Sequence, residues 1–148
     1  MTEAPHVWRT LGFSRRLIQD GKSIVEWDAP EDYSFPTADG RVIQGGLVTA
    51  ILDSAMGGAC WSVLEGEETF LTADLRVEFL RPTRPGPLTA HGSVVRRTRR
   101  VVFCSAELVD AQGVTTAASR CTQVVLPATG PAGRYQTLEE RRQLFGDG

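Results

Sequence analysis

An excess of charge of either sign is missing from this chain: 16 lysines and arginines stand against 18 acidic residues, for a formal net charge of −2 over 148 residues. Binding to a phosphate backbone calls for a basic surplus, so wholesale nucleic-acid binding is excluded. Cysteine is scarce as well. Cys60, Cys104 and Cys121 are odd in number, lie in apolar stretches and show no CxxC spacing. That pattern fits reduced core thiols in a cytoplasmic protein better than disulfides or zinc ligands, and no metal or cofactor is expected. Histidine is confined to His6 and His91, which leaves little for a Ser-His-Asp or Cys-His nucleophile. No basic segment leading into an apolar stretch opens the chain, so no secretory signal is read there. No period of roughly 20 to 50 residues repeats.

What is present fits one globular domain, since a chain of 148 residues buries about two thirds of its unfolded surface without a staple. The domain is expected over residues 1–126. The tail, 127–148, carries Pro131 and glycines, and then a short helix-like stretch from Leu138 to Phe145. The longest apolar run, Gly45 to Leu64, approaches membrane-spanning length. Asp53 at its middle costs roughly 2.5 to 3.5 kcal/mol in a bilayer, and the run holds four glycines and no basic flank. A buried helix is the better account, and no membrane partner is expected.

Asp20-Gly21, with Leu17 and Ile18 before it and Ile24, Val25 and Trp27 after it, marks a hairpin. Glu31 to Gly40, with Pro36, Asp39 and Gly40, reads as a loop, and Tyr33, Phe35 and Pro36 place aromatic cover before the glycine pair Gly45-Gly46. Leu47, Ala50, Ile51, Leu52, Ala55 and Met56 recur without proline and predict a helix from Gly46 to about Glu65. Thr69 to Leu80, Leu88 to Arg97, Val101 to Val109 and Val114 to Val125 are β-branched, alternating segments separated by turn chemistry. A hairpin, one long apolar helix and a four-strand meander have a simple solution, an α+β fold in which a curved antiparallel sheet wraps the helix.

Leu47, Val48, Ile51, Leu52, Ala55, Met56, Ala59 and Val63 fall on one broad helix face, the expected core. The opposite strip holds Gly46, Thr49, Ala50, Asp53, Gly57 and Cys60, so the one charge stands among small side chains. Gly57-Gly58 lowers helix propensity twice, which suggests that a ligand or another backbone comes near. A close helix or dimer contact, with Asp53 merely hydrogen-bonded, fits the strip equally well. Gly45 and Gly46 open the helix without side chains, leaving N–H groups and the positive end of the dipole for a carbonyl or oxyanion. Asp53 lies about 10 Å further along the axis.

Ile43-Gln44-Gly45-Gly46 followed by Leu52-Asp53, and then Phe79-Leu80-Arg81-Pro82 with Gly86, Leu88, Ala90 and Gly92, resembles the PaaI-like hotdog thioesterases. Those carry HGG and an acidic residue nine positions after the histidine. The resemblance covers about Gly40 to Val125. It implies the hotdog fold and hydrolysis of an acyl-CoA thioester to acid and CoA. Asp53 would be general base or nucleophile, and the Gly46 N–H would lie on the thioester oxygen, with Gly45 and Gly57 lining the substrate. It implies a site at a dimer interface, in a homodimer or a dimer-of-dimers tetramer. Thr72 falls where related enzymes place a hydroxyl residue from the neighbouring subunit; alone it also reads as an ordinary strand threonine.

Two positions depart from the family pattern. Gln44 replaces the histidine, and Ala38 stands where asparagine or glutamine is common. Glutamine orients but cannot take a proton at neutral pH, so proton transfer falls to Asp53. Arg96, Arg97, Arg99 and Arg100 cluster at a strand turn, either as a solvated tip or, for Arg99 and Arg100, as a hold on CoA phosphates. A hotdog hydratase would need a histidine paired with an acid. A noncatalytic acyl-CoA-binding domain is the alternative that Gln44 favours and Asp53 opposes.

Overall fold

Asp20 and Gly21 take φ of 49° and 76°, the left-handed pair that a two-residue turn between twisted strands requires. They join β1 (Phe13–Gln19) to β2 (Lys22–Ala29), in the computed structural model that describes residues 4–127. The helix expected at Leu138 to Phe145 lies outside the described residues. A short helix not expected from the sequence, α1 (His6–Leu11), precedes β1. It ends at Gly12, whose φ of 89° continues into the strand, and it is tied down where Trp27 Nε1 donates to Leu11 O at 2.8 Å.

The segment read as a loop before the glycine pair is more ordered than that. A 3-10 turn, Glu31–Tyr33, leads into a hairpin of β3 (Ser34–Thr37) and β4 (Gly40–Ile43). Pro36 hid it from sequence reading, since proline is compatible only with an edge position, and a two-stranded ribbon offers nothing else. Ile43 N donates to Thr83 O and Gln44 N to Tyr33 O, so the hairpin is fastened at its base.

The central helix, α2, spans Gly45–Trp61, four residues short of the expected Glu65. Val63 N bonds Cys60 O and Leu64 N bonds Trp61 O, three-residue closures that tighten the end. The Glu68 carboxylate then accepts from Glu65 N at 2.8 Å and turns the chain into the next strand. That strand, β5 (Thr69–Phe79), is followed by β6 (Gly86–Arg97), β7 (Val101–Asp110) and β8 (Thr115–Leu126).

All six long strands form one antiparallel sheet in the order β1-β2-β6-β7-β8-β5. It wraps α2, whose Val48, Ile51, Leu52, Ala55 and Met56 are buried against Val25, Trp27, Leu88, Ala90, Val102 and Leu108. This is the hotdog arrangement. Where α2 crosses β6 the backbones nearly touch: a Cβ at Gly92 would overlap Ala55 O and crowd Ser23 Oγ. Only glycine fits there.

The strip expected to face away from the core is correct for its first half alone. Gly46, Thr49, Ala50 and Asp53 keep some exposure, but Gly57 and Cys60 are buried. The Phe70 ring lies 3.4 Å from where a Gly57 Cβ would be, and Ile18 closes on Gly58. The close neighbour that the glycine pair admits is therefore this chain's own β5 and β1.

Candidate active site

Asp53 sits at the middle of α2, half-buried, with a desolvated carboxyl. Burial raises its pKa above the usual carboxylate range, and the Thr72 hydroxyl bond partly offsets that. Thr72 Oγ1 lies 3.4 Å from Asp53 Oδ1 and 2.8 Å from Gln123 Oε1. The resemblance assigned the hydroxyl residue to a neighbouring subunit. Here Thr72 of the same chain reaches Asp53, because β5 runs beside α2 at that point.

A β-bulge between Thr72 and Asp74 makes this contact. Counting back by twos from Phe79, Val77 and Leu75 would put Ala73 inside and Thr72 outside. The extra residue reverses the parity, so Thr72 shares the inner face with its register partner, Gln123. Gln123 is fully buried, and its Nε2 lies 3.3 Å from Cys121 Sγ. Sequence reading missed it. The available signal was a long amide at an inward position of β8, between Cys121 and Val125, where the alternation calls for an apolar residue.

The mouth of α2 is built from Gln44, Gly45 and Gly46. Gln44 is the N-cap residue, and its Oε1 accepts from Leu47 N at 3.1 Å. Its side chain arches over Gly46, where an added Cβ would stand 2.7 Å from that oxygen. Gly46 is exposed, and the first N–H groups of a helix have no acceptor within it. Beside the mouth is a cleft of about 470 Å³ lined by Phe35, Val42, Ile43, Val48, Phe79 and Leu80, among others. Phe35, from the predicted aromatic cover, lines it, whereas Tyr33 turns inward to Trp27. Ala38 lies in the β3–β4 turn.

The arginine cluster divides. Arg97 bonds Val63 O and pairs with Glu68 at 2.7 Å, largely buried, so it pins the turn after α2. Arg99 and Arg100 are exposed at the β6–β7 turn. That turn lies at the Asp53 end of the sheet: Val101 pairs with Val124 and Val124 with Leu71, one row beyond Thr72. Two strand spacings from β7 to β5 come to about 10 Å.

His91 faces outward on β6 opposite Glu107 in register, with the sheet between it and Asp53. His6 is exposed on α1. Neither approaches Asp53 to form the histidine–acid pair that a hydratase would require there. The three cysteines are free and buried. Hydrogen bonding to Cys104, and burial after it, push the Cys121 thiol up, so it keeps its proton at neutral pH. Among the described residues no cluster of His, Cys, Asp or Glu is arranged to hold a metal, and no helix is long and apolar enough to cross a membrane.

The medium/long-chain acyl-CoA thioesterase YigI of Escherichia coli (strain K12) is 31% identical over 97 residues, 57% of this chain and 63% of its own length. A phenylacetic acid degradation-related protein from Ralstonia eutropha JMP134 superposes with a TM-score of 0.74 at 28% identity, over 81% of this chain and 89% of that one. The PaaI protein of E. coli, from the phenylacetic acid degradation operon, gives 0.73 at 21% identity, over 82% and 84%. That last likeness is one of fold. The sequence model of the thioesterase superfamily matches residues 40–117, the stretch from β4 into β8 that holds the α2 mouth, Asp53 and Thr72, and the chain belongs to that superfamily.

Proposed function

We propose that this protein hydrolyses acyl-CoA thioesters to the free acid and CoA at a site shared by two copies of the chain. The observation that carries the reading is the desolvated Asp53 carboxyl, held beside the Thr72 hydroxyl on an otherwise small-residue strip. Raising a carboxylate's pKa brings it closer to working pH and makes it a better base.

Gly46 lies too far along α2, about 10 Å by helical rise, to serve the same carbonyl as Asp53. The geometry of β5 supports a resolution. Thr72, beside Asp53, is near its start, and Phe79, packed on Gly45, is at its end. Among the described residues β5 pairs only with β8, and Leu71, Phe79 and Leu80 are 60%, 57% and 55% exposed. An antiparallel copy along that free edge, about an axis midway between Thr72 and Phe79, sets Asp53 of one chain against Gly46 of the partner subunit. It also covers the apolar side chains.

In that site the Gly46 N–H and the helix dipole polarise the thioester carbonyl. Acting as base, Asp53 takes a proton from a water held with Thr72, and the hydroxide adds to the carbonyl carbon. The oxyanion rests on the helix mouth until the C–S bond breaks, and the leaving thiolate recovers the proton from Asp53. Acting as nucleophile, the same carboxylate adds to the carbonyl carbon and expels CoA thiolate as the C–S bond breaks, leaving an anhydride; water then opens it to the free acid and the Asp53 carboxylate, and a proton from that water goes to the thiolate. Gln44, with its oxygen on Leu47 N, orients a substrate oxygen through Nε2. The apolar cleft beside Gly45 receives the acyl group, and Arg99 and Arg100 meet CoA phosphates.

Release of free thiol from a panel of aliphatic and aromatic acyl-CoAs tests the reading. Turnover of at least one is expected. The Gln44 position favours a second reading, acyl-CoA binding without chemistry, and tight binding of every acyl-CoA with no thiol release would establish that instead.

A further inference from the structure

We infer that Gln123 is a positioning residue that aims the Thr72 hydroxyl proton at Asp53 and turns its amide over when Asp53 changes protonation state. The inference rests on Asp53 being the reacting carboxylate. It begins with a count of protons. Thr72 has one, and two oxygens stand within its reach, Asp53 Oδ1 at 3.4 Å and Gln123 Oε1 at 2.8 Å. An ionised carboxylate only accepts. If Thr72 donates to Gln123, it gives Asp53 nothing, and the contact is a hydrogen bond only when Asp53 itself carries the proton and donates.

Both states can be satisfied on the same heavy atoms. With Asp53 protonated, the chain runs from Asp53 O–H to Thr72 Oγ1, from Thr72 O–H to Gln123 Oε1, and from Gln123 Nε2–H to Cys121 Sγ. That is the amide orientation present, with Nε2 at 3.3 Å from the sulfur. With Asp53 ionised, the amide rotated half a turn reverses every bond: Cys121 S–H to Gln123 Oε1, Gln123 Nε2–H to Thr72 Oγ1, and Thr72 O–H to Asp53. A thiol is both a weak donor and a weak acceptor, so Cys121 can accept from Gln123 while its own proton stays on Cys104, or turn that proton to Gln123 instead. An amide presents a donor and an acceptor on separate atoms of similar shape and carries no charge at any working pH. A carboxylate or a methionine at 123 could not do this.

Burial argues that the amide is kept for a purpose. Gln123 has 0% exposure, and the other buried polar residues among those described are serines and threonines. An apolar residue between Cys121 and Val125 would avoid the desolvation of a whole amide. Its neighbours across the sheet, Thr72 on β5 and Val102 on β7, place it directly behind the reacting pair.

The test compares Gln123→Met, Thr72→Val and the double variant in the full-length protein. Thermal unfolding checks the fold, and Gln123→Asn, which withdraws the amide from Thr72 without removing it from the core, is the second variant. The readouts are kcat, KM, the pH profile and a carbon-13 NMR titration of the Asp53 carboxyl, assigned with Asp53→Asn. Each change at 123 is expected to lower kcat about tenfold with KM within about twofold, the scale of one lost hydrogen bond to a charged group. The acidic limb and the Asp53 titration should both move to higher pH, because no amide N–H remains behind the Thr72 oxygen to hold its proton on the ionised carboxylate. The double variant should be no worse than Thr72→Val. Losses that multiply in the double variant, or an Asp53 titration unmoved in both Gln123 variants, would overturn the inference. If the titration moves but no acyl-CoA is hydrolysed by any form, the hydrogen-bond chain holds and it is the thioesterase reading that fails.

Discussion

At Asp53 the requirements of chemistry and of stability oppose each other. Burial raises its pKa in the folded chain, so folding favours the protonated carboxyl. The associated stability is fully present below the unfolded-state pKa and is lost as pH rises through the folded one. Where the group is ionised in the folded chain it is therefore a burden, relieved only in part by Thr72. Asp53→Asn should raise the melting temperature at pH 7, and the gain should shrink as pH falls and the wild-type carboxyl becomes neutral too. Calorimetry at several pH values checks this; a variant less stable than wild type at pH 7 would mean that the carboxylate is a structural asset. Asp53 was legible in the sequence because a lone charge on an apolar helix is conspicuous. Thr72 was legible only through family resemblance, since the bulge at Ala73 defeats alternation, and Gln123 showed only as an amide where alternation calls for an apolar residue, which gives no hint of what it faces.

Among the elements, the long helix and the β1–β2 hairpin could be read because each carries its own local chemistry, strong helix formers in one and Asp20-Gly21 in the other. The β3–β4 hairpin and α1 depend on what they pack against, Thr83 and Trp27 respectively, and local sequence does not contain that. The contact between α2 and β6 yields a sharper prediction. Gly92→Ala pushes a methyl into the backbone carbonyl of Ala55, which cannot yield as a side chain could. It should lower unfolding free energy by about 1 to 3 kcal/mol, read from the midpoint in urea; an unchanged midpoint would show the two elements are not in close contact. At the other end of α2, Gln44→Ala removes the side-chain acceptor for Leu47 N, leaving its bond to Gln44 O, and with it about 1 kcal/mol of helix capping. Gln44→His, which restores the family residue with an N–H to offer, should retain or raise turnover. Turnover in Gln44→Ala abolished as fully as by loss of Asp53 would contradict a purely orienting role.

For the whole molecule, a shared site makes a prediction that a single-chain site cannot. Neither Asp53→Ala nor Gly46→Leu alone should be active. A two-fold dimer of one variant with the other has one damaged site and one intact site. Random mixing after denaturation and refolding should recover about a quarter of wild-type turnover. No recovery, in a mixture shown by sedimentation to contain dimers, would place both groups in one chain. A fully active monomer would do the same.

Whether Asp53 carries the chemistry is decided by thiol release from the best acyl-CoA substrate, with wild type and Asp53→Ala side by side. A positioned base contributes roughly 10² to 10⁴ in rate and a nucleophile more. At least a hundredfold lower kcat is expected in a variant with the wild-type assembly and fold; near-normal turnover in that variant would mean that another group does the chemistry.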